Sequence, residues 1–277
     1  MIDLKDVVKV YPTGITALDG TNLHIDDGEF VFLVGSSGSG KSTIIKLLTA
    51  ELRATEGSVI VNDFDLTKIK KSAIPYMRRT IGVVFQDFRL IPNMTVYENV
   101  AFAMRVIGAR EREIRERVPY VLELVGLENK SRRHPNELSG GEQQRVNIAR
   151  GFIVDYPILL LDEPTNGLDI PSKLEFLKMV ARTMDDKRTI IISTHQVKDV
   201  ENLLDHIMIL DKRAVLLDKS VADIQSEYLF QTSATVPSDA LFVEAGLGGC
   251  NSIRRNVNGE ESRINIELLF NYINSKK

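Results

Sequence analysis

Cys250 is the only cysteine in 277 residues, so no intrachain disulfide can form, and a reducing cytoplasm suits the chain. Long apolar runs are missing too. Stretches such as Pro157-Ile158-Leu159-Leu160-Leu161 fall far short of the roughly 20 residues a membrane-spanning helix needs. The opening MIDLKDVVKV carries early acids and no apolar core, unlike a signal peptide. Charge of one sign is also lacking. The 35 basic and 38 acidic residues leave a net −3, so no global field draws the chain to nucleic acid or anionic lipid. No internal repeat or low-complexity tract occurs. What remains is an ordinary globular composition, 43% hydrophobic and 26% charged, long enough for one large or two modest domains. Any membrane role must come through a partner.

The most informative stretch is Phe30 to Leu52. A buried strand pattern, Phe30-Val31-Phe32-Leu33-Val34, breaks into GSSGSGKST (Gly35, Ser36, Ser37, Gly38, Ser39, Gly40, Lys41, Ser42, Thr43) and resumes as a helical pattern. Strand, glycine-rich turn and helix are the context in which G-x-x-x-x-G-K-S means a phosphate-binding loop. The glycines let backbone N–H groups converge, and the helix adds its positive end. Lys41 would reach the β- and γ-phosphates, and the Ser42 hydroxyl would sit on magnesium. The plain alternative is a glycine-rich connection with a chance lysine.

Along the chain, residues 2–10 read as an edge strand, Asn22 to Ile25 as a short one, and Gly57 to Val61 and Thr80 to Phe85 as further strands around a basic helix, Lys68 to Arg79. Helices follow at Thr95 to Val106, Arg110 to Val125 and Gly141 to Ile153. In the second, REREIRER reads as a solvated face with pairs such as Glu111–Arg115 and Glu113–Arg117. Strands return at Ile158 to Leu161, Thr189 to Ser193 and His206 to Leu210, with a helix near Lys173 to Met184. Alternating strands and helices predict a mainly parallel sheet covered on both faces. The tail shows strand-like pieces at Tyr228 to Thr232, Leu241 to Glu244, Ser252 to Val257 and Arg263 to Leu268, a hairpin signal at Asn258-Gly259, and a helix at Ile266 to Ile273.

Two more motifs carry chemistry. In Leu138-Ser139-Gly140-Gly141-Glu142, Ser139 and Glu142 form a capping box, and the two glycines leave that helix start bare enough for a phosphate. In Ile158-Leu159-Leu160-Leu161-Asp162-Glu163-Pro164, a buried strand ends in two carboxylates. Asp162 can bind magnesium, and Glu163 can polarise the attacking water.

GSSGSGKST, Gln86, LSGGEQQ, LLLDEP, NGLD (Asn166 to Asp169) and His195 in IISTHQ occur in one order, and the chain resembles the ATP-binding-cassette (ABC) ATPases over roughly residues 1–218. The resemblance implies an α/β phosphate-loop NTPase core, with a mainly parallel sheet, helices on both faces and N-terminal antiparallel strands. A helical subdomain at about 87–153 is inserted, and a small α+β extension of unknown role spans 219–277. It implies ATP and Mg2+, the metal at Ser42, Gln86 and Asp162. Tyr11 would stack on adenine; Lys41, Gln86, Glu163 and His195 would act in hydrolysis. Asp169 would communicate across a head-to-tail homodimer, which sandwiches ATP against the Ser139-Gly140-Gly141 of the other copy.

Ile74 to Met104 resembles the cell-division branch, FtsE, whose membrane partner is FtsX; the second half looks more like transport-type subunits. The expectation is an ATPase subunit that drives an FtsX-like membrane partner from the inner face of the cell membrane. The alternative is the energising subunit of a transporter with a permease; a soluble machine for DNA repair or translation is disfavoured. The partner surface should lie near Gln86 to Tyr97, where Phe88, Leu90, Ile91 and Pro92 form an apolar lip. No nucleic-acid partner is expected.

Overall fold

The computed structural model describes residues 1–184, 187–194, 204–246 and 249–276. Its centre is a six-stranded sheet of β3 (Phe30–Val34), β6 (Ile81–Val84), β7 (Ile158–Asp162), β8 (Thr189–Ser193), β9 (His206–Asp211) and β10 (Ala214–Ser220), in the order β10-β9-β3-β8-β7-β6. All neighbours are parallel except β9 and β10. Side chains alternate between the faces, and both faces are buried: Phe30 and Phe32 join one core, Val31 and Leu33 the other. The same alternation runs through β7, with Leu159 and Leu161 on one side and Ile158 and Leu160 on the other. Each such residue contributes about 1.5–3 kcal/mol. That is why the central strands read as continuous apolar runs.

A second sheet, ordered β2-β1-β4-β5, is antiparallel: β1 (Ile2–Val10), β2 (Thr16–Ile25), β4 (Glu56–Val61) and β5 (Phe64–Asp65). β1 is therefore interior, not the expected edge, because β4 pairs along its free side. β2 is longer than the expected 22–25. Register shifts against β1 interrupt its apolar alternation over Asp19-Gly20-Thr21.

Helix α1 (Lys41–Leu48) follows the phosphate loop. The expected basic helix over 68–79 shrinks to α2 (Ile74–Arg78), since Pro75 in its first turn cannot continue a helix backwards. The helical block holds α3 (Val96–Val106), α4 (Glu111–Leu124) and α5 (Gly140–Phe152). On α4 the observed i,i+4 pair is Arg112–Glu116, not the two expected ones. Glu113 instead accepts from the Arg110 backbone N–H, and Arg117 donates to the Ile153 carbonyl. Helix α6 (Ile170–Thr183) precedes β8.

The tail forms α7 (Val221–Glu227), a three-stranded antiparallel sheet ordered β11-β13-β12 (Tyr228–Ser233, Phe242–Gly246 for β12, Gly249–Arg255 for β13), and α8 (Ile266–Ser275). β10 and α7 escaped the sequence reading. The strand expected at 263–268 is instead the approach to α8 and its first turn, fixed by Asn265 accepting from the Leu268 N–H at 3.0 Å. Asn258-Gly259 does not join paired strands; it lies in a turn after β13, closed by Asn256 accepting from the Glu260 N–H. No helix among the described residues is long and apolar enough to cross a membrane.

Candidate active site

Strands β3, β6, β7 and β8 all end at one edge, and the loops leaving them surround a cleft of about 660 Å³. Parallel α/β sheets bind ligands at that edge. The phosphate loop is its floor. Gly35 leaves β3 so close to β9 that a Cβ would lie 2.2 Å from the Leu210 carbonyl oxygen and 2.5 Å from Ser39 Oγ. Gly40 caps α1 at φ +113°, a conformation that strongly favours glycine. The Lys41 ammonium donates to the carbonyls of Gly35 at 2.6 Å and Ser36 at 3.0 Å. Burial pushes its pKa down, against the pull of Glu163, Asp162 and Asp211. Ser36 donates to Asp211 Oδ1 at 2.5 Å, tying the loop to the end of β9.

Across the cleft stand the two carboxylates. Asp162, at the end of β7, is 8% exposed, and burial first, then the charge of Glu163, pushes its pKa up. Its Oδ1 and the Ser193 hydroxyl are buried without a hydrogen-bond partner. Glu163 is held at φ +48°, its N–H donating to the Ser193 carbonyl at 2.7 Å. Gln86, one residue beyond Phe85 in the loop after β6, lines the same cleft, as do Ser42, Thr43, Ser37 and Gly38. The orphaned Asp162 oxygen, the exposed Ser42 hydroxyl and the Gln86 amide form the hard oxygen set that suits Mg2+. No cluster of three His, Cys, Asp or Glu side chains that could hold a metal occurs among the described residues.

Tyr11 borders the other end, its hydroxyl sharing a 3.1 Å hydrogen bond with Thr43 Oγ1. A turn closed by the Tyr11 N–H to the Ile15 carbonyl, 2.9 Å, places the exposed Ile15 beside it. Ile15, Thr16, Ala17 and Ser193 line the cleft and were missed from sequence. Ser193, directly ahead of Thr194 and His195, was within reach of the strand-end logic applied to Asp162. His195 lies outside the described residues.

Ser139, Gly140 and Gly141 do not line this cleft. They begin α5 as a complete capping box: Ser139 Oγ accepts from the Glu142 N–H at 3.3 Å, and Glu142 accepts from the Ser139 N–H at 2.8 Å. Gly140 faces open space. Asp169 caps α6, accepting from the Ser172 N–H at 2.9 Å. The helix-start reading of Ser139 and Glu142 therefore holds, and Ser139, Gly140 and Asp169 are exposed.

The ABC transporter family model matches residues 18–166. Among curated relatives, the cell division ATP-binding protein FtsE of Streptococcus pneumoniae serotype 2 is 46% identical over 220 residues, 79% of this chain and 96% of the relative. The FtsE of Bacillus subtilis is 44% identical over the same shares. A methionine import ATP-binding protein, MetN 1 of Bacillus licheniformis, is 35% identical over 245 residues, 87% of this chain and 74% of the relative. A solved dimeric ATP-binding cassette in a post-hydrolysis state with ADP and phosphate superposes with a TM-score of 0.75 at 34% identity, covering 80% of this chain and 99% of that one.

Proposed function

The chain belongs to the ABC transporter family of ATPases, and from that membership we propose that it is the ATP-hydrolysing subunit of a membrane complex of the FtsE type. The observation that carries the reading is the single cleft that gathers Lys41, Ser42, Gln86, Asp162 and Glu163 while leaving Ser139 to Gly141 outside it. The loop N–H groups from Gly35 to Thr43 and the Lys41 ammonium hold the phosphates of ATP, with Tyr11 and Ile15 at the base end. Ser42, Gln86 and Asp162 would hold Mg2+, which supplies charge neutralisation at the phosphate oxygens when bound. Glu163 accepts the proton of a water that attacks the γ-phosphorus as the bond to ADP breaks, and His195 would act on the same phosphoryl group.

Because Ser139, Gly140 and Gly141 do not line their own cleft, and Ser139 and Gly140 are exposed, a second copy would bring them to the γ-phosphate, and Asp169 would face the partner copy there. Closure and hydrolysis are then one event.

The work is done on a membrane partner. A groove of about 390 Å³ between the core and the helical block is lined by Phe85, Arg89, Ile91, Phe102 and Val106, beside Gln86. Phe102 and Val106 are each 40% exposed, and they extend the lip expected at 88–92 onto α3. An FtsX-like partner seated there would hold the subunit on the inner face of the membrane. The transporter reading has one supporting observation: similarity to the import subunit covers 245 residues of this chain, against the 220 shared with FtsE. We assign 1–218 to the nucleotide-binding unit and 219–277 to an appended unit, with the last two residues of β10 beyond that division.

Glu163→Gln tests the reading. It should bind ATP, lose hydrolysis by about a hundredfold or more, and accumulate as an ATP-dependent dimer in light scattering. Turnover near the unmutated rate would remove Glu163 from its role.

A further inference from the structure

Helix α5 carries a row of polar side chains on its inner face that the chemistry above does not use. Gln144 and Asn147 have no exposed surface, and Arg150 follows at the same spacing. Positions three apart share one side of a helix. Gln144 Nε2 donates to the Pro164 carbonyl at 2.7 Å and lies 3.5 Å from the Glu163 carbonyl. Gln144 Oε1 accepts from Asn147 Nδ2 at 3.1 Å, and that nitrogen also donates to the Phe85 carbonyl at 2.6 Å. Asn147 Oδ1 in turn accepts from Arg150 Nη2 at 2.9 Å. The guanidinium finally donates to the carbonyls of Phe88 and Arg89, each at 2.7 Å. The row runs without a break from the peptide after Glu163 to the loop that holds Gln86.

Both ends grip backbone in the left-handed region: Glu163 at φ +48°, Phe88 at +57° and Arg89 at +49°. None is glycine or asparagine, so each needs outside support to stay there. Two buried amides would be costly with any group unpaired, yet both donors and the acceptor of each find partners here. A fully satisfied network of this kind has one arrangement, and it specifies both loops at once.

We propose that Gln144, Asn147 and Arg150 form one positioning unit, with Asn147 at its centre, that holds the carboxylate of Glu163 and the Gln86 loop in a common register. The proposal rests on the roles given above to Glu163 and Gln86. The same helix begins at Ser139, so a displacement of its N-terminus on dimer closure reaches both loops through this row.

The test is steady-state ATP hydrolysis by the full chain carrying Gln144→Leu, Arg150→Lys, both together, and Asn147→Asp. The last is nearly isosteric but trades both donors for a buried carboxyl oxygen facing two acceptors, the Phe85 carbonyl and Gln144 Oε1, so Arg150→Lys, which keeps the charge, keeps the test open should the buried changes fail to fold. Each single change should lower kcat by about ten- to a hundredfold while the KM for ATP moves less than about threefold, because the row touches no phosphate-loop side chain. Gln144 and Arg150 stand about 9 Å apart along the helix and do not bond each other, so independent structural effects would multiply. A single unit predicts that the double variant loses no more than the worse single one. Multiplying losses, or an Asn147→Asp protein with unchanged kcat, would overturn the proposal. Glu163→Gln run alongside separates the two claims: an inactive Glu163→Gln with multiplying losses overturns this inference alone, and an active one overturns both.

Discussion

Gly35→Ala is a one-carbon change whose consequence can be worked out from geometry. The added Cβ would sit 2.2 Å from the Leu210 carbonyl oxygen. An ordinary carbon–oxygen contact is about 3.3 Å, so one side must move by about 1 Å. Leu210 belongs to β9, which pairs with β3 on one side and β10 on the other, so it is the loop that yields. Overpacking of this kind costs about 1–3 kcal/mol, or several degrees of Tm in a chain of this size. A 1 Å shift of groups that must meet the phosphates costs about a hundredfold in kcat/KM. Gly38→Ala is the matched control: its Cβ meets nothing within 4 Å, and only its φ of +78° is strained. Thermal melts and ATPase kinetics of the two variants should rank Gly35→Ala as the less stable. A Gly35→Ala protein with wild-type Tm and kcat/KM would refute the close-approach argument.

Two other predictions concern regions away from the phosphates. His206 bonds Asp218 at 2.5 Å; that bond, opposed by burial and aided by the charges of Asp218, Glu29 and Asp223, raises its pKa. A raised folded-state value means the pair stabilises fully below the unfolded value near 6.5 and stops doing so as pH climbs through the folded value. His206→Asn should therefore lower Tm clearly at pH 6 and little at pH 9; an equal loss at both would refute it. Phe102→Glu should leave basal hydrolysis within about twofold and abolish its response to a co-expressed membrane partner, since Phe102 lines the groove and not the cleft. An unchanged response would move the docking site elsewhere.

The central sheet was legible because strands buried on both faces must be continuously apolar, and the loops at their ends carried the chemical motifs. What was hidden follows from local physics. The strand expected at 22–25 covers only the end of β2, because register shifts against β1 break the alternation before it. The helix over 68–79 contracted because Pro75 fixes its start. Ion pairs on α4 went elsewhere because Glu113 and Arg117 found backbone partners, which no i,i+4 rule anticipates. The α5 row was invisible for a similar reason: Gln144, Asn147 and Arg150 are polar at helix positions that a binary pattern assigns to solvent. Their partners are carbonyls some 20 to 60 residues away.

The most direct measurement mixes two inactive proteins. Lys41→Ala disables the phosphate loop, and Ser139→Arg disables the surface that a second copy would present. In a mixed dimer, one cleft combines an intact Lys41 with an intact Ser139. An equal mixture should recover about one quarter of the wild-type hydrolysis rate, since half the dimers are mixed and each keeps one of two sites. Continued silence from the mixture, with both variants folded and dimerising, would contradict the shared site.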